Sequence, residues 1–148
     1  MREILFRGKA INRDPDMKYR TDYKNGDWVY GLISVPFNES FPGLPAEMVN
    51  TNGISGIEVD YKTIGQYTGL TDKNGKKIFE GDICKTCFES YTRNWEEVGV
   101  VTEFRGAYGI ESADGKHFLA FINETVYARS CEVIGNIHDN PEFLEDKE

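Results

Sequence analysis

No stretch of this chain carries a long apolar run at helical spacing. Instead, short runs rich in Val, Ile, Phe, Tyr and Trp alternate with turn chemistry built from Gly, Pro and Asn-Gly pairs. That pattern restricts the fold to sheets, because such runs are too short to bury a helical stripe yet long enough to form strands. The predicted fold class is all-β. With 148 residues the chain can bury enough apolar surface to fold without disulfide or metal staples.

The runs follow one another closely. "REILFRGKA" alternates and meets Gly8, which predicts a strand with a bulge. "YKNGDWVYGLISV" sets Asn25-Gly26 before Trp28-Val29-Tyr30, the chemistry of a type I′ turn opening a strand. Three prolines and a glycine between Pro36 and Pro45 end that strand in a loop. "MVNTNGISGIEVDYKTIGQYT" resumes the signal, with a turn at Asn52-Gly53, Ile57, Val59 and Tyr61 on one face, and breaks at Gly65 and Gly69. After it come a hairpin tipped by Asn74-Gly75, a turn at Gly81-Asp82, and the runs "DICKTCFES", "EVGVVTEFRGAYGIES", "HFLAFI" and "CEVIGNIH". In "DNPEFLED", Asn140 as cap and Pro141 at the first position predict one helical turn. The expected architecture is an N-terminal β layer, residues 1–66, and a small C-terminal curved barrel of SH3-like type, residues 67–148, packed together or woven into a single domain.

Seventeen Lys and Arg against 25 Asp and Glu give a net charge of -8, which opposes attraction to phosphate. Residues 1–25 depart from that balance with seven basic and four acidic side chains, so Arg7, Lys9, Arg13, Lys18 and Arg20 are the candidates for a basic patch. No apolar run approaches the length of a membrane span and no secretory signal pattern opens the sequence, which places the expected location in the cytoplasm.

The sharpest chemical motif is Cys84-Lys85-Thr86-Cys87. A zinc knuckle needs both sulfurs on one side of a turn, whereas an odd offset in a strand sends them to opposite faces, and no helix follows to activate a redox pair. These cysteines read as structural, and a site completed by Cys131, His117 and His138 would require the fold to gather them. Asp72-Lys73-Asn74-Gly75 resembles the start of a calcium loop, but Lys76 and Ile83 stand where the loop needs oxygen ligands. Neither histidine sits in a nucleophile motif, and the paired carboxylates Glu96-Glu97 and Glu80/Asp82 fit a solvated acidic surface. The chain is therefore read as non-enzymatic, with no cofactor and no metal. Tyr91, Arg93 and Trp95 in "ESYTRNWEE" are candidates for contact, because interfaces favour aromatics with Arg; the same residues also suit a hairpin packed on its own neighbours.

Taken together, "IGQYTGLTDKNGKKIFEGDI", the opening "REILFRGKA" and the closing "EVIGNIHDNPEFL" resemble the YopX protein family of bacteriophages and prophages of Gram-positive bacteria. The resemblance implies an all-β fold with a small barrel portion and expression inside a bacterial host. It supplies no biochemical activity and no site residues. The expected function is that of a phage accessory protein that binds a host or phage protein, with exposed strand edges suited to homo-oligomers. The alternatives are nucleic-acid binding through the basic N-terminal region and an acidic surface that mimics nucleic acid.

Overall fold

A computed structural model describes residues 3–12, 23–121 and 126–144, with backbone alone at 126–129. The fold is all-β, as predicted, and divides into two compact units, Met1–Tyr67 and Thr68–Glu148.

The first unit comprises β1 (Phe6–Ala10), β2 (Trp28–Val35), β3 (Ala46–Asn50) and most of β4 (Ile57–Thr71). All pairings are antiparallel, and β1 pairs with both β2 and β4, so the ladder β1-β2-β3-β4 returns on itself as a four-stranded ring. So narrow a ring has room for few large side chains. Its interior holds Ala10, Val29, Ala46, Met48, Ile57 and Val59, with Phe6, Tyr23 and Ile64 packed against them. Small residues are needed among these: a Cβ on Gly8 would stand 3.2 Å from both Ile64 and Met48. Each large buried aliphatic contributes about 1.5–3 kcal/mol, and Val29, Met48, Ile57 and Val59 carry most of that term.

The predicted irregularity beside Gly8 is present, but the extra residues sit on the partner strand. Arg7 pairs with Gly65 and Lys9 with Asp60, so two steps along β1 face five along β4. Thr63 satisfies the groups this frees, its hydroxyl donating to the Asp60 carbonyl at 2.6 Å and accepting the Lys9 amide at 2.8 Å. The same bulge overturns one expectation: Tyr61 does not share the inner face of Ile57 and Val59. It is 42% exposed and stacks on Phe37, centroids 3.8 Å apart. Nor does β4 break at Gly65; it runs through both glycines, and only Gly69 takes a positive φ, of 88°. At Asn25-Gly26 the turn is closed by the Asp27 amide donating to the Lys24 carbonyl, with Gly26 at φ 91°. Asn25 has an ordinary negative φ, so the turn is type II and not type I′. As predicted, residues 36–45 form the loop between β2 and β3.

In the second unit the end of β4 and β5 (Lys77–Phe79) form a hairpin. β6 (Asp82–Ser90), β7 (Asn94–Phe104), β8 (Ala107–Glu111), β9 (Phe118–Ala120) and β10 (Val126–Asn136) form a sheet in the order β10-β6-β7-β8-β9. Among the described residues this sheet is open, with β9 and β10 at its edges. The closed ladder thus lies in the N-terminal unit, where the sequence reading expected a layer, and not in the C-terminal one. Ile78, Cys84, Phe88, Val101, Ile110 and Phe121 form the core of the second unit.

The hairpin tip at Asn74-Gly75 is a turn from Asp72 to Gly75 followed by the glycine at φ 81°. Asp72 organises it. Its Oδ1 accepts the amides of Asn74 and Lys76 at 2.8 and 2.9 Å, and its Oδ2 accepts the Val133 amide of β10 at 3.0 Å. Burial disfavours the charge, but the Val133, Lys76 and Asn74 amides and the Lys76 charge outweigh it and hold the carboxyl below its ordinary range. The predicted C-terminal turn is a 3-10 turn, Pro141–Leu144, and the Asn140 side chain accepts the Asn136 amide instead of capping it.

Candidate functional site

Local sequence dictates the β6–β7 hairpin. Alternation along "DICKTCFES" puts Cys84, Thr86 and Phe88 on the core face, and the register sets Phe88 opposite Trp95 and Glu89 opposite Asn94. The connection is closed by the Ser90 amide donating to the Arg93 carbonyl at 2.9 Å, while the Ser90 hydroxyl oxygen accepts the Arg93 amide at 3.3 Å.

The three predicted contact residues come together here in graded exposure. Tyr91, at the tip, is 92% exposed. Arg93 lays its guanidinium over the Trp95 ring, 4.5 Å from the centroid, and Trp95 lies against Phe88 with centroids 5.7 Å apart. The aromatic pair is worth about 0.5–1.5 kcal/mol beyond its buried area, which anchors the ring; the exposed cation–π contact adds about 0.5–1 kcal/mol. Trp95 thus packs on its neighbours, while Tyr91 and Arg93 face solvent.

Beside the ring opens a cleft of about 430 Å³ lined by Cys87, Phe88, Asn94, Trp95, Glu96 and Ser130. Its wall is mainly apolar and its rim polar. Glu96 receives the Cys87 thiol at 3.7 Å and pairs with Lys85 at 3.5 Å. That exposed pair contributes little to stability but keeps the carboxylate on the rim. A hollow of this size holds one large side chain.

The basic N-terminal candidates fare differently. Arg7 is only 4% exposed, with its guanidinium 4.6 Å from the Trp28 centroid, so it is not a surface cation as the sequence reading supposed. Lys9 approaches the same ring at 5.3 Å. Strand parity explains the placement, because Arg7 and Lys9 project from the face opposite Ala10, where Trp28 covers them. Arg13, with Lys18 and Arg20, lies outside the described residues.

The cysteines also sort by parity. Cys84 is fully buried in the core and Cys87 points to the other face, as the odd offset predicts. What the sequence did not reveal is that Cys84 lies beside Cys131. On β10, Cys131 is opposite Thr86 and Val133 is opposite Cys84, which makes the two cysteines diagonal neighbours on the inner face. The Thr86 hydroxyl donates to the Cys131 sulfur at 3.5 Å. Among the described residues no group of three or more His, Cys, Asp or Glu side chains gathers in a way that could hold a metal ion, and no helix is long and apolar enough to cross a membrane.

Fold and surface thus define an all-β protein of two small units, with an aromatic hairpin tip and an adjoining cleft on the second. The chain belongs to the YopX protein family, whose model it matches over residues 18–145. The crystal structure of protein EF1440 from Enterococcus faecalis is similar to it, with 23% sequence identity and a TM-score of 0.48, over 98% of this chain and 100% of that one. No curated protein matches the chain.

Proposed function

We propose that this chain is a non-enzymatic phage or prophage accessory protein, acting in the bacterial cytoplasm by binding a host or phage protein through the β6–β7 hairpin. The observation that supports it is the graded cluster at the tip: Tyr91 standing free in solvent, and Arg93 held flat on an anchored Trp95 at the mouth of an apolar cleft. Tyr, Trp and Arg concentrate binding energy because they bring large rigid area, or planar donors, at modest entropic cost. The anchoring of Trp95 by Phe88 lowers that cost further. Nucleic-acid binding has less support, since Arg7 is buried and the overall charge is -8.

The test compares capture from host lysate by the wild-type chain and by the double variant Tyr91→Ala/Arg93→Ala. Both changes are at exposed positions, so the variant should stay folded. A protein retained specifically by the wild type and lost by the variant is the expected result. Equal retention by both would remove the hairpin from the account.

A further inference from the structure

We propose that Cys131 and Cys84 form a peroxide-reactive dithiol, in which Cys131 is the attacking sulfur and Cys84 resolves it to a disulfide joining β10 and β6.

Cys131 is half-buried and Cys84 wholly buried, so a small oxidant reaches the first and is kept from the second. The Thr86 hydroxyl donates to the Cys131 sulfur at 3.5 Å, and Cys84 is the diagonal neighbour of Cys131 across the β6–β10 ladder on the same inner face. Cys87 is on the other face and directs its thiol at the Glu96 carboxylate, 3.7 Å away, so it takes no part in this pair. Consistent with this, the Cys84 thiol and Thr86 hydroxyl lower the Cys131 pKa against burial and the charges of Asp72 and Asp82, which act the other way. The Cys131 hydrogen bond and burial push the Cys84 thiol far up, so it stays protonated until the sulfenic acid forms beside it.

Bond formation requires the backbone of the two strands to close by about 3 Å, because diagonal cross-strand Cβ atoms sit somewhat under about 7–8 Å apart and a disulfide needs roughly 3.5–4.5 Å. β10 is the strand in which that movement would be taken up. Its register against β6 shifts between Ala128 and Ser130 and again between Val133 and Gly135, so Cys131 lies between two irregularities that each leave an extra residue in the strand.

The chemistry balances with a hydroperoxide as oxidant. The Cys131 thiolate attacks the O–O bond; an S–O bond forms, and the departing oxygen takes a proton to leave as water or an alcohol. The Cys84 sulfur then displaces the sulfenic hydroxyl, which leaves as water with the Cys84 proton. Two thiols are oxidised to one disulfide and one peroxide is reduced.

The test treats the folded full-length chain with a small excess of hydrogen peroxide. Free thiols should fall from three to one, and peptide mapping without reductant should link Cys84 to Cys131. Cys87→Ser should go from two thiols to none. Cys84→Ser should stop at a sulfenic acid on Cys131 that dimedone traps, and Cys131→Ser should keep both remaining thiols at the same dose. Should Cys84→Ser fail to fold, the order of alkylation in the wild-type native chain decides: Cys131 must react with iodoacetamide before Cys87. Prior oxidation or alkylation of Cys87, dimers linked through Cys87, or three thiols surviving a dose that consumes free cysteine would each overturn the proposal.

Discussion

Removing the Asp72 carboxylate should uncouple the β4–β5 turn from β10. The side chain is 7% exposed and holds three backbone amides, two within its own turn and one, Val133, on a strand 61 residues further along the chain. In Asp72→Ala the turn amides of Asn74 and Lys76 can recover water and cost about 0.5–1 kcal/mol each. The Val133 amide is left without an acceptor in a partly buried place, which costs about 1–3 kcal/mol. Together these give a loss of about 2–5 kcal/mol, which for a chain of this size lowers the melting temperature by about 4–20 °C. Asp72→Asn separates the two parts, because it keeps an oxygen for the turn but sets an amide nitrogen against the Val133 N–H; its loss should be about 1–3 kcal/mol. Urea denaturation of the three proteins, with m-values compared, is the assay. The pH dependence supplies a sign. The folded pKa lies below the ordinary 3.8, so the stabilisation is complete above that value and fades as pH falls through the lower folded value. The gap between wild type and Asp72→Asn should therefore be constant near neutrality and close in strong acid. A loss under about 0.5 kcal/mol for Asp72→Ala would refute the reasoning, because it lies within the scatter of ordinary surface substitutions.

Two further substitutions probe the backbone. Gly31→Ala in β2 would set a Cβ 1.9 Å from the Val49 carbonyl oxygen of β3, so the ring must part; a loss above about 2 kcal/mol is expected by denaturant titration. Arg105 is the one non-glycine residue with positive φ (52°) among those described, and with Gly106 it makes the two-residue turn between Phe104 and Ala107. Arg105→Asn, which tolerates that conformation, should raise stability by about 0.5–1 kcal/mol, read as a higher denaturation midpoint.

The elements that were legible in the sequence are those set by near neighbours. The proline-rich loop at 36–45, the hairpin at Asn74-Gly75, the turn at Gly81-Asp82 and the opposed faces of Cys84 and Cys87 all follow from turn chemistry or a period of two. What escaped depends on distant partners. Closure of the first unit needs β1 to pair with β4, 49 to 60 residues away, and the bulge that turns Tyr61 outward exists only because β1 offers fewer residues than β4. Asn25-Gly26 suits type I′ locally, but the chain here opens β2 from a loop and does not join two adjacent strands of a tight hairpin, so the twist that selects the primed turn is not imposed. Of the candidate site, Tyr91, Arg93 and Trp95 were readable as a unit because one hairpin carries them. The Cys84–Cys131 pair was not, because sequence periodicity gives each strand its faces but not its neighbour. Likewise Arg7 counted as a surface cation until Trp28, on the adjoining strand, was seen to cover it.

The binding reading depends on the β6–β7 tip being the contact surface. Hydrogen–deuterium exchange across the full chain, with and without the protein it captures, measures that directly. The account predicts slowed exchange in the amides of 90–95 on complex formation, with β2 and the 36–45 loop unchanged. Unchanged exchange at 90–95 with protection appearing elsewhere would contradict it.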